Sequence, residues 1–228
     1  MLKRRWLVTV AVALVLGTSV GAVAAAAPSI AAVTCPQCYG LSGLGDGVYA
    51  ERDDAGYRRA VDAAQRRIDA FYGGRQAHAR VLICATDACY RRIGGGREKG
   101  KALGTRALLL SPAGAGEVIA THELAHLELH QRLGAARGKV PHWFDEGLAV
   151  LVSDDPRYLG SGSDRCRLPY DQAVAVTRTS WAAATAGGTD GGYLQAACVV
   201  SRWKSGHDVL KFIADLRAGK TFDAAFSR

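Results

Sequence analysis

Thr121-His122-Glu123-Leu124-Ala125-His126 and, further along, Trp143-Phe144-Asp145-Glu146-Gly147-Leu148-Ala149 decide how this chain reads. On an α-helix, residues four apart lie on one face, one turn above the other. His122 and His126 therefore project together and can offer two imidazole nitrogens to one cation. Glu123 is turned by roughly 100° about the helix axis. It can reach a water beside that cation without being a ligand. An H-E-x-x-H helix thus carries two zinc ligands and a general base.

A catalytic zinc takes three protein ligands and keeps a fourth position open. Glu146 is the candidate third ligand. A turn through Gly134, Gly138 and Pro141 would let a second helix, from about residue 143 to 153, run back against the first. Gly147, beside the ligand, would let those two helices approach closely.

The paired motifs H-E-L-A-H and W-F-D-E-G-L-A resemble those of the gluzincin metallopeptidases, above all the small peptidase MA-like domains. The resemblance spans roughly Leu103 to Phe226 and includes the tail from Tyr193-Leu194-Gln195 onward. It implies an α+β, zincin-like fold: a small mixed sheet, an active-site helix and a mainly helical C-terminal lobe. It implies Zn²⁺ held by His122, His126 and Glu146. It makes residues 106–111 the sheet edge along the cleft, where an extended peptide could add as a strand. It also implies an oxyanion donor from the C-terminal lobe, best matched by Tyr193, with Tyr158 and Tyr170 as rivals and His207 as a distant one.

Two positions depart from related patterns. A metzincin would carry a third His where this chain has Arg132. Thermolysin-type enzymes carry an acid four residues after the ligand Glu, where this chain has Val150. Asp145, Asp154 and Asp155 are candidates to support the ligands from behind, with Asp145 read as a solvated helix residue. His130 drifts off the ligand face by about 40° per step of four and reads as a packed or surface residue. His142 reads as an imidazole exposed in the turn.

The chain begins Met1-Leu2-Lys3-Arg4-Arg5-Trp6 and continues uncharged from Leu7 to Ala27. Residues 1–27 thus read as a signal peptide, with an uncleaved N-terminal membrane anchor as the second reading. Either way the rest is expected outside the cytoplasm, periplasmic or secreted. The formal charge is +8, of which Lys3, Arg4 and Arg5 carry three. The remaining excess is scattered, and aromatics are only 7% of the chain, too few for base stacking along a basic stripe. No nucleic acid is expected as a partner.

Six cysteines in an exported chain point to disulfides. Cys84 with Cys89, Cys166 with Cys198, and Cys35 with Cys38 is one pairing open to the chain, and the sequence alone does not fix the connectivity. A redox role for Cys35-Pro36-Gln37-Cys38, or a Cys₄ zinc site with Cys84 and Cys89, is the alternative.

Residues 28–50 read as an irregular, Gly-rich lead-in, and residues 51–228 as the metallopeptidase domain. Within it, 53–72 has helical spacing ended by Gly73-Gly74, 80–85 and 106–111 read as strands, and Gly94-Gly95-Gly96 as a loop. Residues 154–168 form a polar loop, Gly187-Gly188 and Gly191-Gly192 bound a flexible stretch, and helices follow at 193–204, 208–217 and from about 222. The expected activity is peptide-bond hydrolysis, endopeptidase rather than exopeptidase, by a monomer acting on peptide or protein. A zinc-stabilised binding domain without turnover, and a zinc amidase acting on a cell-wall amide, are the other readings.

Overall fold

The structure is a computed structural model that describes residues 28–227. The expected signal segment or anchor at 1–27 lies outside the described residues. Among the described residues no helix is long and apolar enough to cross a membrane.

A five-stranded mixed sheet sits at the N-terminal end, and helices make up the rest. The strands are β1 (Ser42–Gly45), β2 (Val48–Ala50), β3 (Arg80–Ile83), β4 (Gly100–Leu103) and β5 (Ala107–Leu110). Their order is β1-β2-β3-β5-β4. The inner pairs β2/β3 and β3/β5 are parallel, and the outer pairs β1/β2 and β4/β5 antiparallel. The run Arg80-Val81-Leu82-Ile83 lacks polar alternation because the sheet is covered on both faces. Val81, Ile83, Leu108 and Leu110 face the large helical core. Leu82 and Leu109 face a smaller cluster with Ala32, Leu41, Tyr90 and Ile93.

The helices are α1 (Pro28–Thr34), α2 (Ala55–Tyr72), α3 (Asp87–Arg92), α4 (Glu117–Leu133), α5 (His142–Ser153), α6 (Tyr170–Ala173), α7 (Trp181–Ala184), α8 (Thr189–Lys204), α9 (Val209–Arg217) and α10 (Phe222–Phe226). The Asp54 side chain caps α2 and Thr221 caps α10. Helix α4 packs between α2 and α5, and α5 packs in turn on α8. Phe144 of α5 meets Trp203, Phe212, Phe222 and Phe226 at ring-centroid distances of 4.8 to 6.0 Å. The few aromatics of the chain are thus concentrated where the last three helices close on α5.

Several expectations are corrected. Residues 28–50 are ordered: α1, a 3₁₀ turn at Pro36–Tyr39, and the β1–β2 hairpin. The edge strand is β4, not residues 106–111. Strand β5 lies inside the sheet, paired to β3 and β4, so it has no free edge. The sequence of β4, Gly-Lys-Ala-Leu, has little strand character of its own. Gly191 and Gly192 stand inside the first turn of α8 rather than in a loop. Gly147 does not serve the contact between α4 and α5. It faces α8, where a Cβ would sit 2.5 Å from the Ala196 carbonyl oxygen.

Three disulfides, Cys35–Cys38, Cys84–Cys89 and Cys166–Cys198, settle the connectivity that the sequence left open. No cysteine is left free, which removes the Cys₄ zinc site. Such bonds persist in oxidising, extracytoplasmic surroundings. Cys166–Cys198 ties the polar loop after α5 to α8, as Arg165 ties it to Asp154.

Candidate metal centre

Helix α4 brings His122 and His126 onto one face, and α5, running back across it, delivers Glu146 between them. The two Nε2 atoms are 3.1 Å apart. Glu146 Oε2 is 3.2 Å from His122 Nε2 and 3.5 Å from His126 Nε2. All three side chains are about nine-tenths buried. Four ligands at zinc bond lengths near 2.05 Å lie about 3.3 Å apart along the edges of a tetrahedron. The three donor atoms match that spacing, and their chemistry, two imidazoles and a carboxylate, suits a divalent cation. Glu51 with Cys84 and Cys89 forms a second cluster of ligand atoms, but its sulfurs are joined to each other.

Behind the ligands stands Asp145. One carboxylate oxygen is 2.6 Å from His126 Nδ1 and the other 2.6 Å from His130 Nε2. Its side chain is 14% exposed, so the expectation of a solvated residue is corrected. His130 packs off the ligand face, as read from the helix angle, and its Nε2 meets Asp145. The hydrogen bond at Nδ1 leaves Nε2 of His126 free to face the cation, the usual arrangement behind a metal-bound imidazole. The nearest signals in the sequence are positional only: Asp145 adjoins Glu146, and His130 lies a further step of four past His126. Asp154 and Asp155 serve elsewhere, holding Arg165 and Arg157.

His142, at the first turn of α5, places Nε2 3.1 Å from the second oxygen of Glu146. Its ring is 57% exposed, so it is both solvent-facing, as expected, and engaged with the site. Burial opposes ionisation of Glu146, yet hydrogen bonds from His122, His126 and His142 hold its carboxyl well below the ordinary range. Burial likewise opposes the Asp145 anion, and the neighbouring His126 and His130 overcome it.

Glu123 lies off the ligand face, as the helix angle requires. It rests against β4: a Cβ at Gly100 would come within 2.7 Å of its Cγ. Burial pushes the Glu123 carboxyl above the usual carboxylate range, against the pull of His126 and His122. A raised carboxyl next to two imidazoles suits a group that takes up a proton.

Tyr193 comes from the start of α8. Its ring centroid is 6.1 Å from that of His122. Burial first, then the Glu146 carboxylate, push its pKa up, so the phenol keeps its proton. Tyr158 stacks on it at 5.2 Å and Trp181 meets it edge-on at 5.2 Å. The Tyr158 hydroxyl donates to Asp190, 2.9 Å away. The other rivals stand apart: Tyr170 is exposed beneath Arg202, and His207 bonds the Trp203 carbonyl.

Through His122 the donor group borders a cleft of about 490 Å³ lined also by Glu123, Gly100, Ile119, Tyr158 and Tyr193, among others. Strand β4 borders it with an edge that no other strand of the sheet covers. Protein-family models, curated proteins and solved structures offer no match to this chain.

Proposed function

We propose that this chain is a zinc-dependent hydrolase of peptide bonds, of gluzincin type on a zincin-like fold, acting outside the cytoplasm. One observation carries the reading. Three donor atoms from α4 and α5 stand at tetrahedral spacing, and His122 among them opens onto a cleft that the half-buried Glu123 also lines. The motif resemblance supports the same reading, and so do the three disulfides.

His122, His126 and Glu146 would hold the zinc, with Asp145 fixing the His126 ring. The ion supplies positive charge that polarises the scissile carbonyl and acidifies a water. Glu123 takes the proton from the attacking water and later delivers it to the leaving amine. The Tyr193 hydroxyl, protonated and beside His122, donates to the developing oxyanion. The outer edge of β4 takes the substrate backbone in extended form, and its loss of side chain at Gly100 leaves room for Glu123. A closed structural zinc site would need a fourth protein donor. Among the described residues the donor group at this place has three members.

The test is incubation of the zinc-loaded chain with an unfolded protein and, in parallel, with amide-linked cell-wall fragments, read by mass spectrometry for new termini. Peptide products from the unfolded protein alone support the reading. Products from the cell-wall amide alone would reassign the substrate, and none from either would remove the hydrolase. A second expectation concerns Asp145. Asp145→Asn should weaken zinc binding by about 10- to 100-fold, because the His126 ring loses its anionic partner. Competition against a chromogenic chelator measures this. An unchanged affinity would mean that Asp145 serves His130 and the fold alone.

A further inference from the structure

The Cys35–Cys38 disulfide takes no part in the candidate metal centre. The turn that carries it, between Ala32 and Leu41, packs on the sheet face formed by Leu82 and Leu109, whereas α4 packs on the other face. Access sets this bond apart from the other two. Cys84 and Cys89 are fully buried, and Cys198 is buried at 1% exposure. Cys38 is exposed and Cys35 half-buried. An incoming thiol can therefore reach this bond while the fold stays closed.

Charge sets it apart as well. Arg80 donates to the carbonyls of Val33 and Thr34 at 2.6 and 3.4 Å, just before Cys35. Arg92 donates to the Tyr39 carbonyl at 3.1 Å, just after Cys38. Residues 28–45 contain no acid. Asp46 shares a hollow with Arg80 but is bonded to Arg58. Glu51 meets the Ile83 end of β3, while Arg80 opens that strand. Asp87 opens α3, and Arg92 closes it. The Cys84–Cys89 bond has the opposite neighbour: a Glu51 carboxylate oxygen lies within 4.8 Å of both sulfurs. Cations favour the thiolate that leaves when a disulfide is attacked, and an anion opposes it.

The turn is also held without its sulfur bridge. Ala32, Pro36 and Leu41 are buried, and Ser29 donates to the Gly94 carbonyl at 3.3 Å. A bond that spans three positions restrains the unfolded chain less than one that spans 32, as Cys166–Cys198 does. Opening Cys35–Cys38 should leave the domain folded.

We infer that Cys35–Cys38 is a second reactive site, a thiol–disulfide exchange centre whose substrates are thiols of other molecules. A thiolate attacks Sγ of Cys38, the S–S bond breaks, and Cys35 leaves as a thiolate that takes up the proton the attacking thiol gave up. A second external thiol then attacks the mixed disulfide. Two external thiols depart as one disulfide, and Cys35 and Cys38 remain as thiols. The reverse steps restore the bond from an external disulfide. None of this depends on the hydrolase reading.

The full chain, equilibrated with mixtures of reduced and oxidised glutathione, is quenched in acid and alkylated, and each cysteine is read by peptide mass spectrometry. Cys35 and Cys38 should become reduced across the series, with glutathione trapped on Cys38. The other two bonds should stay closed, and near-ultraviolet circular dichroism should not change. A reduced, unfolded protein in place of glutathione separates a polypeptide cysteine from a small thiol, and exchange with either supports the site. Arg80→Gln/Arg92→Gln should slow the reduction about three- to tenfold, because exposed charges are worth roughly a factor of two to five each. Arg80→Lys/Arg92→Lys should keep most of the rate. A bond that stays closed in both arms, or opens no sooner than the buried pairs, or opens only as the fold melts, overturns the inference. An unchanged rate in the glutamine variant overturns it too, because the bond would then be exposed without being activated.

Discussion

Glu123→Gln should leave one zinc per chain and an unchanged melting temperature, and should lower kcat for peptide cleavage by about 10²- to 10⁴-fold. Glu123 is not among the donors that converge on the candidate centre, so the substitution removes no ligand. Glutamine has the same shape, and the close fit between Glu123 and Gly100 leaves little room for any other. What glutamine cannot do is take a proton from water and give it to an amine. Metal content by mass spectrometry and turnover of a quenched fluorescent peptide, measured on one preparation, check both halves. A kcat within threefold of the unaltered chain would end the assignment of Glu123 as the base. Loss of the metal would show instead that it helps to hold the ion.

Glu128→Ala should cost about 3–5 kcal/mol of stability, the usual penalty for removing one partner of a buried ion pair. Glu128 lies two residues past His126 on α4, and its side chain is 1% exposed. Its two oxygens accept from the Gln76 N–H at 3.0 Å, from the Ala77 N–H at 2.8 Å and from Arg132 Nε at 2.5 Å. Arg132 in turn donates to the Gly74 carbonyl and lies over the Tyr72 ring. One carboxylate thus fastens the C-terminal half of α4 to the segment joining α2 to β3. Its removal strands two backbone donors and a guanidinium together.

For a chain of this size each kcal/mol shifts Tm by roughly 2–4 °C, so a fall of about 6–20 °C is expected in calorimetry. Glu128→Gln, which keeps one acceptor oxygen, should fall between the two. A Tm within 2 °C of the unaltered chain would show that this anchor carries little. Arg132 stands where a metzincin would place its third His, and here that position is spent on holding the helix.

The helix bearing His122 and His126, its limits near Glu117 and Gly134, and the return helix with Glu146 were all legible in local pattern. Spacing of four, a Gly stop and an apolar stripe are written along a single element. That the six cysteines form disulfides was legible from their even number in an exported chain, but their connectivity was not. Strand β4 was not legible, because four residues of Gly-Lys-Ala-Leu become a strand only when β5 offers them a ladder. That same pairing moved the sheet edge from 106–111 to Gly100–Leu103.

Asp145 marks the boundary most sharply. In the sequence it is one more acid on a helix, with water as its default partner. Only the crossing of α5 over α4 turns it toward His126 and His130 and buries it there. Gly147 likewise announced a close approach but not its partner, which proved to be α8, and that packing is what brings Tyr193 over the donor group. Residue types and their spacing along one helix determined which side chains could gather around a cation. Which strand forms the cleft wall, which carboxylate steadies the imidazole and which tyrosine overhangs the centre were decided by contacts between distant segments. Those contacts depend on packing volume and hydrogen-bond geometry that no local pattern records.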